Sequence, residues 1–201
     1  KNSKGIEYLM KKNKVTVIKG TGKLALPGRV EVTDAEGKTQ TIQTKNIIIA
    51  TGSVVRPIPG FETDGKTVVN SDHILELKDV PKSLVVMGSG GVGCEFASVY
   101  SRFGADTTIV ELLPRLVPLE DEEVSKELER SFRKRGIKSL VGTKLDKMEK
   151  TANGVKVSGK NGKGEDVTLE AEMLLVAVGR MPYTQGLGLE GTKIKLDRGF
   201  I

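Results

Sequence analysis

The chain is short of several residue types, and each shortage closes off a class of function. It holds one cysteine, Cys94, and no tryptophan. A single thiol excludes an intrachain disulfide, structural or redox-active, and suits a reducing compartment, read here as the cytoplasm. The one histidine, His73, has no Cys, His or carboxylate at ligand spacing. It reads as part of a helix start, and no metal site is expected. Aromatic residues are 4% of the chain and do not interleave with the basic ones, which argues against nucleic acid despite a net charge of +6. No apolar run approaches the roughly 20 residues that cross a bilayer, so no membrane role is expected. The longest runs are Leu84 to Met87 and Met173 to Val178. No secretory signal pattern opens the chain. It begins without Met and stops just after Asp197-Arg198-Gly199-Phe200, so it is expected to be an excised piece of a longer protein.

What the chain has in excess is glycine, with 24 residues against about 14 at average usage. Many tight turns and close backbone approaches follow. Residues 3–12 place Ile6, Leu9 and Met10 on one helical face. Val15 to Ile18 reads as a strand closed by Gly20-Thr21-Gly22. Arg29 to Thr33 and Gln40 to Thr44 alternate around Asp34 to Gly37, a hairpin pattern. Ile47 to Ala50 reads as a buried strand ending at Thr51-Gly52-Ser53. Residues 56–67, rich in Pro and Gly, read as a loop and a domain boundary.

Beyond that loop the pattern alternates strand and helix. Ser83 to Met87 predicts a strand. Gly91 to Phe103 predicts a helix carrying Val92, Phe96, Val99, Tyr100 and Phe103, closed by Gly104. Thr107 to Val110 is a second strand. Residues 122–135 form a second helix, with Asp121 as N-cap and Val124, Leu128 and Phe132 on one face. Its acids Glu122 and Glu123 start it and Arg133, Lys134 and Arg135 end it, complementing the helix dipole. Short strands follow near 144–150, 154–158 and 166–170, then a buried strand from Met173 to Val178. The run Asn46 to Ser53 echoes Glu172 to Arg180, each an apolar stretch ending Ala-X-Gly-polar after a hairpin region. The echo implies two related domains.

Gly88-Ser89-Gly90-Gly91-Val92-Gly93 is a G-x-G-x-x-G run set between a strand and a helix. In dinucleotide-binding folds the first Gly serves the tight turn, the second lets pyrophosphate approach, and the third lets helix and strand pack closely. The helix start adds amide donors and a positive dipole end. Glu111 closes the second strand 18 residues after Gly93. A carboxylate there can accept the hydroxyls of an adenosine ribose and would repel a 2′-phosphate, which favours NAD over NADP. Arg115 is either a solvated loop residue or a phosphate contact. Glu95 either complements the helix dipole or reaches the nicotinamide end of a cofactor. Cys94 is either packing or a thiol activated by the helix start. The two strand ends, Ala50-Thr51-Gly52 and Ala177-Val178-Gly179, fall where ligands bind in open α/β sheets, or simply end strands.

Three stretches together, GSGGVGCEFAS at 88–98, ATGS at 50–53 and GRMPYTQGLGLE at 179–190, resemble the dihydrolipoamide dehydrogenases of the pyridine nucleotide–disulfide oxidoreductase family. GIEYLMKKNK at 5–14 resembles their mid-chain. The resemblance implies an α/β fold: a Rossmann-like NAD-binding domain with an inserted antiparallel three-strand crossover, plus part of a related FAD-binding domain. Residues 1–70 would be the rear of the FAD domain, 71–185 the NAD domain, and 186–201 a return toward the FAD side. Gly88, Ser89, Gly90, Gly91, Val92, Gly93, Cys94, Glu95 and Glu111 would hold NAD, with Glu95 near the nicotinamide–flavin contact. Leu145 would pack on adenine and Gly179 would lie near the nicotinamide ribose. Gly20, Thr51, Gly52 and Ser53 would touch FAD. The implied parent is a homodimer that oxidises dihydrolipoyl groups with NAD and serves the lipoyl domains of 2-oxoacid dehydrogenase complexes. A glutathione- or mercuric-type reductase and a non-catalytic NAD-binding module are the alternatives. The family's first G-x-G-x-x-G, its C-x-x-x-x-C pair and its distal His-Glu pair are not in these residues. The chain alone is therefore expected to be inactive and to hold no FAD tightly.

Overall fold

A computed structural model describes residues 2–26 and 28–201. The chain divides into two compact units, one of residues 1–53 and 182–201, the other of residues 54–181.

The first unit opens with helix α1 (Asn2–Lys12), followed by an antiparallel sheet of β1 (Thr21–Leu26), β2 (Arg29–Thr33) and β3 (Thr39–Gln43) in that order. The hairpin read around Asp34 is present: the Asp34 carboxylate accepts from the Glu36 and Lys38 amides at 3.0 and 2.8 Å. Strand β1 takes in Thr21 and Gly22, where a closing turn over Gly20-Thr21-Gly22 was expected, and Gly20 precedes it. Gly20, at φ +150°, needs to be glycine because a Cβ there would sit 2.5 Å from the Thr33 carbonyl oxygen. Two further expectations fail. Val15 to Ile18 and Ile47 to Ala50 are not strands, and Val17 and Ile48 are 60% and 91% exposed. Apolar, β-branched runs favour a sheet only when a neighbouring strand completes the ladder, and β1–β3 pair only among themselves. The C-terminal segment packs back on this unit: the Leu24 amide donates to the Leu187 carbonyl at 2.8 Å.

In the second unit the sheet of five parallel strands runs β5-β12-β6-β7-β8. In chain order the elements are β4 (Ser53–Val55), β5 (Val68–Val69), α2 (Ser71–Ile74), β6 (Ser83–Met87), α3 (Gly91–Arg102), β7 (Asp106–Val110), α4 (Glu122–Lys134), β8 (Lys138–Leu140), the antiparallel β9 (Lys144–Thr151), β10 (Gly154–Lys160) and β11 (Asp166–Ala171), β12 (Met173–Val176), and β13 (Arg180–Pro182), which pairs with β4. The crossover from β8 to β12 is thus a three-strand antiparallel sheet. His73 does lie at a helix start, where the Asn70 side chain accepts from the His73 amide at 3.0 Å.

Alternation along the parallel strands sorts the core into two layers. Leu84, Val86, Ile109 and Leu175 join Cys94, Ala97, Tyr100 and Phe132 on the helical side. Val85, Val110, Leu174 and Val176 join Leu145, Val155 and Val157 on the side of the antiparallel sheet. Of the apolar residues expected to pack from helix α3, Tyr100 is buried and Phe96 packs against the core, but the other three are not. Gly93, Cys94, Ala97 and Tyr100 turn inward, while Val92, Val99 and Phe103 are 37%, 42% and 64% exposed. The glycine turn brings the helix start against β6, and small side chains suit that close approach. On α4, Ser125 and Phe132 are buried and Val124 is exposed, whereas Asp121 caps as expected.

The compact units also part at 53/54 and 181/182 rather than at 70/71 and 185/186. Phe61, Val68 and Val69 are buried in the core of the parallel-sheet unit, and β5 pairs with β12. That packing carries residues 54–70 with the second unit.

Candidate functional site

Strand β6 ends at Met87, and the chain reaches α3 through the glycine run. The outer glycines are set by packing. Gly88 has φ +101°, and its missing Cβ would lie 2.5 Å from the Ala177 carbonyl oxygen. A Cβ on Gly93 would fall on the Gly88 carbonyl. The inner glycines have no such explanation. Gly90 has an ordinary φ of −64°, and a Cβ on Gly90 or Gly91 would meet no atom within 4 Å. Their openness faces a cleft of about 760 Å³ bordered by Gly88, Ser89, Gly90, Gly91 and Val92. Helix α3 has no side-chain cap, so the amides of its first turn are available to an anion.

The cleft lies at the carboxyl ends of β6, β7 and β12, contacted through Met87, Val110 and Val176. The chain leaves β6 toward β7 and β8 and returns through β12 on the other side of β6. This is the switch point at which open α/β sheets bind ligands. Leu145 and Val178 add apolar surface, and residues 112–113 and 117–120 form one rim.

Glu111 borders this cleft at the end of β7, 8% exposed. Its carboxylate is already engaged. Oε2 accepts from both the amide and the hydroxyl of Ser89 at 2.8 Å, and Oε1 accepts from the Leu113 amide at 2.8 Å. The residue therefore ties the glycine turn to the rim as well as facing the cleft. Arg115 is half-buried in the loop and does not line the cleft. Its guanidinium donates to the Pro118 and Glu120 carbonyls at 3.0 and 3.2 Å, and its buried Nε has no partner.

Among the NAD-site candidates, Gly88 to Val92, Glu111, Leu145 and Gly179 border one cleft, while Gly93, Cys94 and Glu95 do not. Gly93 and Cys94 face the sheet. The Cys94 thiol donates to the Ser89 carbonyl at 3.2 Å. Burial, with the negative charge of Glu111 next and a smaller contribution from Glu95, pushes its pKa up to about 11. Burial and these charges favour the packing role over an activated thiol. Glu95 is exposed in the second turn of α3, beyond the first turn where a helix dipole is strongest.

The FAD candidates Gly20, Thr51, Gly52 and Ser53 all belong to the first unit. Gly20 borders an open hollow with Lys19, Thr21 and residues 33–36. Thr51, Gly52 and Ser53 do not line it. The Thr51 hydroxyl donates to the Tyr183 carbonyl at 2.6 Å, and the Gly52 carbonyl accepts from the Tyr183 amide at 3.0 Å. No group of three or more metal-ligating side chains occurs among the described residues, and none of their helices is long and apolar enough to cross a membrane.

Sequence reasoning missed the rim. Leu112, Leu113, Val117, Pro118 and Leu119 line the cleft, with Leu119 95% exposed. The signal was a leucine- and proline-rich loop directly after a strand-ending acid.

The profile of the pyridine nucleotide-disulphide oxidoreductase family matches residues 1–201. The chain belongs to that family. Among curated relatives it is 47% identical over 197 residues to dihydrolipoamide dehydrogenase of Chaetomium thermophilum, covering 97% of this chain and 39% of that protein. It is 45% identical over 201 residues to dihydrolipoyl dehydrogenase of Chlorobaculum tepidum, covering 100% of this chain and 43% of the relative. Among solved structures, LpdA from Mycobacterium tuberculosis superposes with a TM-score of 0.88 at 31% identity, over 98% of this chain and 44% of that one. The HOCl-induced flavoprotein disulfide reductase RclA of Escherichia coli gives 0.77 at 28% identity, over 96% and 45% of the two chains. The chain is thus a homologue of dihydrolipoyl dehydrogenases and spans about two-fifths of their length.

Proposed function

We propose that this chain is the NAD-binding portion of a flavoprotein that oxidises dihydrolipoyl groups with NAD. The observation that carries the reading is the contrast within the glycine run. Packing accounts for Gly88 and Gly93, while Gly90 and Gly91 open onto a cleft that Glu111 also borders. Such an opening suits a pyrophosphate beside the α3 start, with adenosine toward Glu111 and Leu145 and the nicotinamide ribose toward Gly179. Bound NAD would supply a hydride acceptor. The chain's own part is to bind and orient the nucleotide.

The reading extends to the parent as a dimeric, FAD-containing dehydrogenase that acts on lipoyl domains of 2-oxoacid dehydrogenase complexes in a reducing compartment. Identities of 45–47% to dihydrolipoyl dehydrogenases, against 28% to RclA, favour that substrate class over other disulfides. The 201 residues contain one cysteine and cannot by themselves carry a dithiol–disulfide exchange. Titration calorimetry tests the nucleotide site: NADH should bind more tightly than NADPH, and equal or reversed affinities would refute the assignment of Glu111 to the ribose.

A further inference from the structure

We propose that Arg115, which does not line the cleft, positions the cleft's rim for a nucleotide. It holds residues 118–120 in place across a backbone turn at Val117 that would otherwise relax. The inference rests on the nucleotide reading of the cleft.

Val117 has φ +41°, in the left-handed region that a β-branched residue rarely enters. Strained backbone of this kind persists only where its surroundings over-determine it, and here they do. Before the turn, Leu116 is fully buried and its amide donates to Glu129 Oε1 at 3.2 Å. At the turn, the Val117 amide donates to the Ser89 carbonyl at 3.0 Å. The Val117 carbonyl accepts from the Glu120 amide at 2.9 Å and the Ser125 hydroxyl at 3.4 Å. From there, Val117 to Glu120 border the cleft. Packing does little for this stretch: Pro118 is half-buried, and Leu119 and Glu120 are exposed. Arg115 supplies the hold instead. One terminal guanidinium nitrogen, which carries two hydrogens, donates to the Pro118 carbonyl at 3.0 Å and the Glu120 carbonyl at 3.2 Å. The buried Nε of the same side chain finds no acceptor, a cost that an apolar side chain of similar length would avoid. The two carbonyl bonds are what the arginine adds. Without them Val117 is free to leave the left-handed region, and the rim is correctly placed in only a fraction of molecules. Apparent affinity falls by that fraction.

The test is calorimetric titration of the full chain with NADH, with thermal unfolding read alongside. Arg115→Met keeps the stem and removes the donors. It should weaken NADH about 10-fold, the competent rim dropping to about a tenth of the molecules. Glycine takes a left-handed φ freely, so in a Val117→Gly background the same change should cost no more than about 2-fold. Equal losses in the two backgrounds would overturn the proposal, because the arginine would then not act through the turn. So would a lower thermal midpoint with unchanged NADH affinity, the mark of a structural residue only. Should Arg115→Met fail to fold, Arg115→Lys, with the same charge on a shorter stem, should weaken NADH about 3-fold. Unchanged affinity there would overturn the proposal as well. If the unaltered chain binds no NADH, the nucleotide reading falls and takes this inference with it. If it binds NADH and Arg115→Met binds it equally, this inference alone falls.

Discussion

Gly93 stands so close to Gly88 that the side chain it lacks would land on the Gly88 carbonyl oxygen. Two glycines three apart in the same turn, Gly90 and Gly93, therefore have separable roles. Gly93→Ala should force the α3 start away from β6 and cost on the order of 1–3 kcal/mol, the usual scale for overpacking. A Cβ at position 90 meets no protein atom within 4 Å, so the thermal midpoint of Gly90→Val should stay close to that of the parent while NADH binding is lost. Thermal unfolding followed by circular dichroism, paired with calorimetry, separates the two. Retained NADH binding in Gly90→Val would show the turn to be a packing device only.

Glu111→Ala should do two things at once. It leaves the buried Ser89 hydroxyl and amide without their acceptor, which costs about 1–3 kcal/mol for each unsatisfied buried group. Loss of NADH affinity should therefore come with a lower urea midpoint. An unchanged midpoint would mean that the turn does not depend on this carboxylate.

Asp64 anchors the entry to β5. Its carboxylate accepts from the Lys66, Thr67 and Val68 amides at 2.8–2.9 Å and pairs with Lys150 on β9 at 2.7 Å. Partial burial pushes its pKa up, but the Lys150 ammonium and the three amides outweigh that and hold the carboxyl well below its ordinary 3.8. A depressed folded-state pKa gives stability that is present above the unfolded value and lost as pH falls below it. Asp64→Ala should thus be less stable by about 2 kcal/mol at neutral pH, and the gap should narrow once pH drops below 3.8. Urea titrations at several pH values measure it. A gap independent of pH would mean that the charge is not what stabilises the turn.

Cys94 should be slow toward thiol reagents. With its pKa near 11 rather than 9.0, its thiolate fraction at pH 8 falls on the order of 100-fold. Disulfide-exchange labelling should be correspondingly slow in the folded chain and ordinary in urea. Fast labelling of the folded chain would mean that α3 opens readily.

The β6–α3–β7 unit and its glycine turn were legible because a motif with fixed spacing dictates both the backbone path and the chemistry. The inward face of α3 was not, since counting apolar residues points to Val92, Val99 and Phe103, while close approach at Gly93 selects Cys94 and Ala97. Strand β8, Lys138-Ser139-Leu140, is a short edge with neither alternation nor an apolar run to mark it. Val15 to Ile18 and Ile47 to Ala50 misled in the opposite sense: their composition suits a strand, but pairing is a property of two segments. The hold of Ser89 on Glu111 was hidden for a related reason. The positions are 22 residues apart, and nothing in either one announces the other.

The alternation of the parallel sheet gives the cleft a tuning handle. Val85 and Val86 are neighbours in the chain, yet one belongs to the layer that carries Leu145 and the other to the layer beneath α3. A change of volume at Val85, Val110 or Val176 is felt on the cleft side, where two of these three form part of the wall. The same change at Leu84, Val86 or Ile109 is absorbed among the helices. Cavity shape and helical scaffold can therefore drift separately, one residue apart on the same strand.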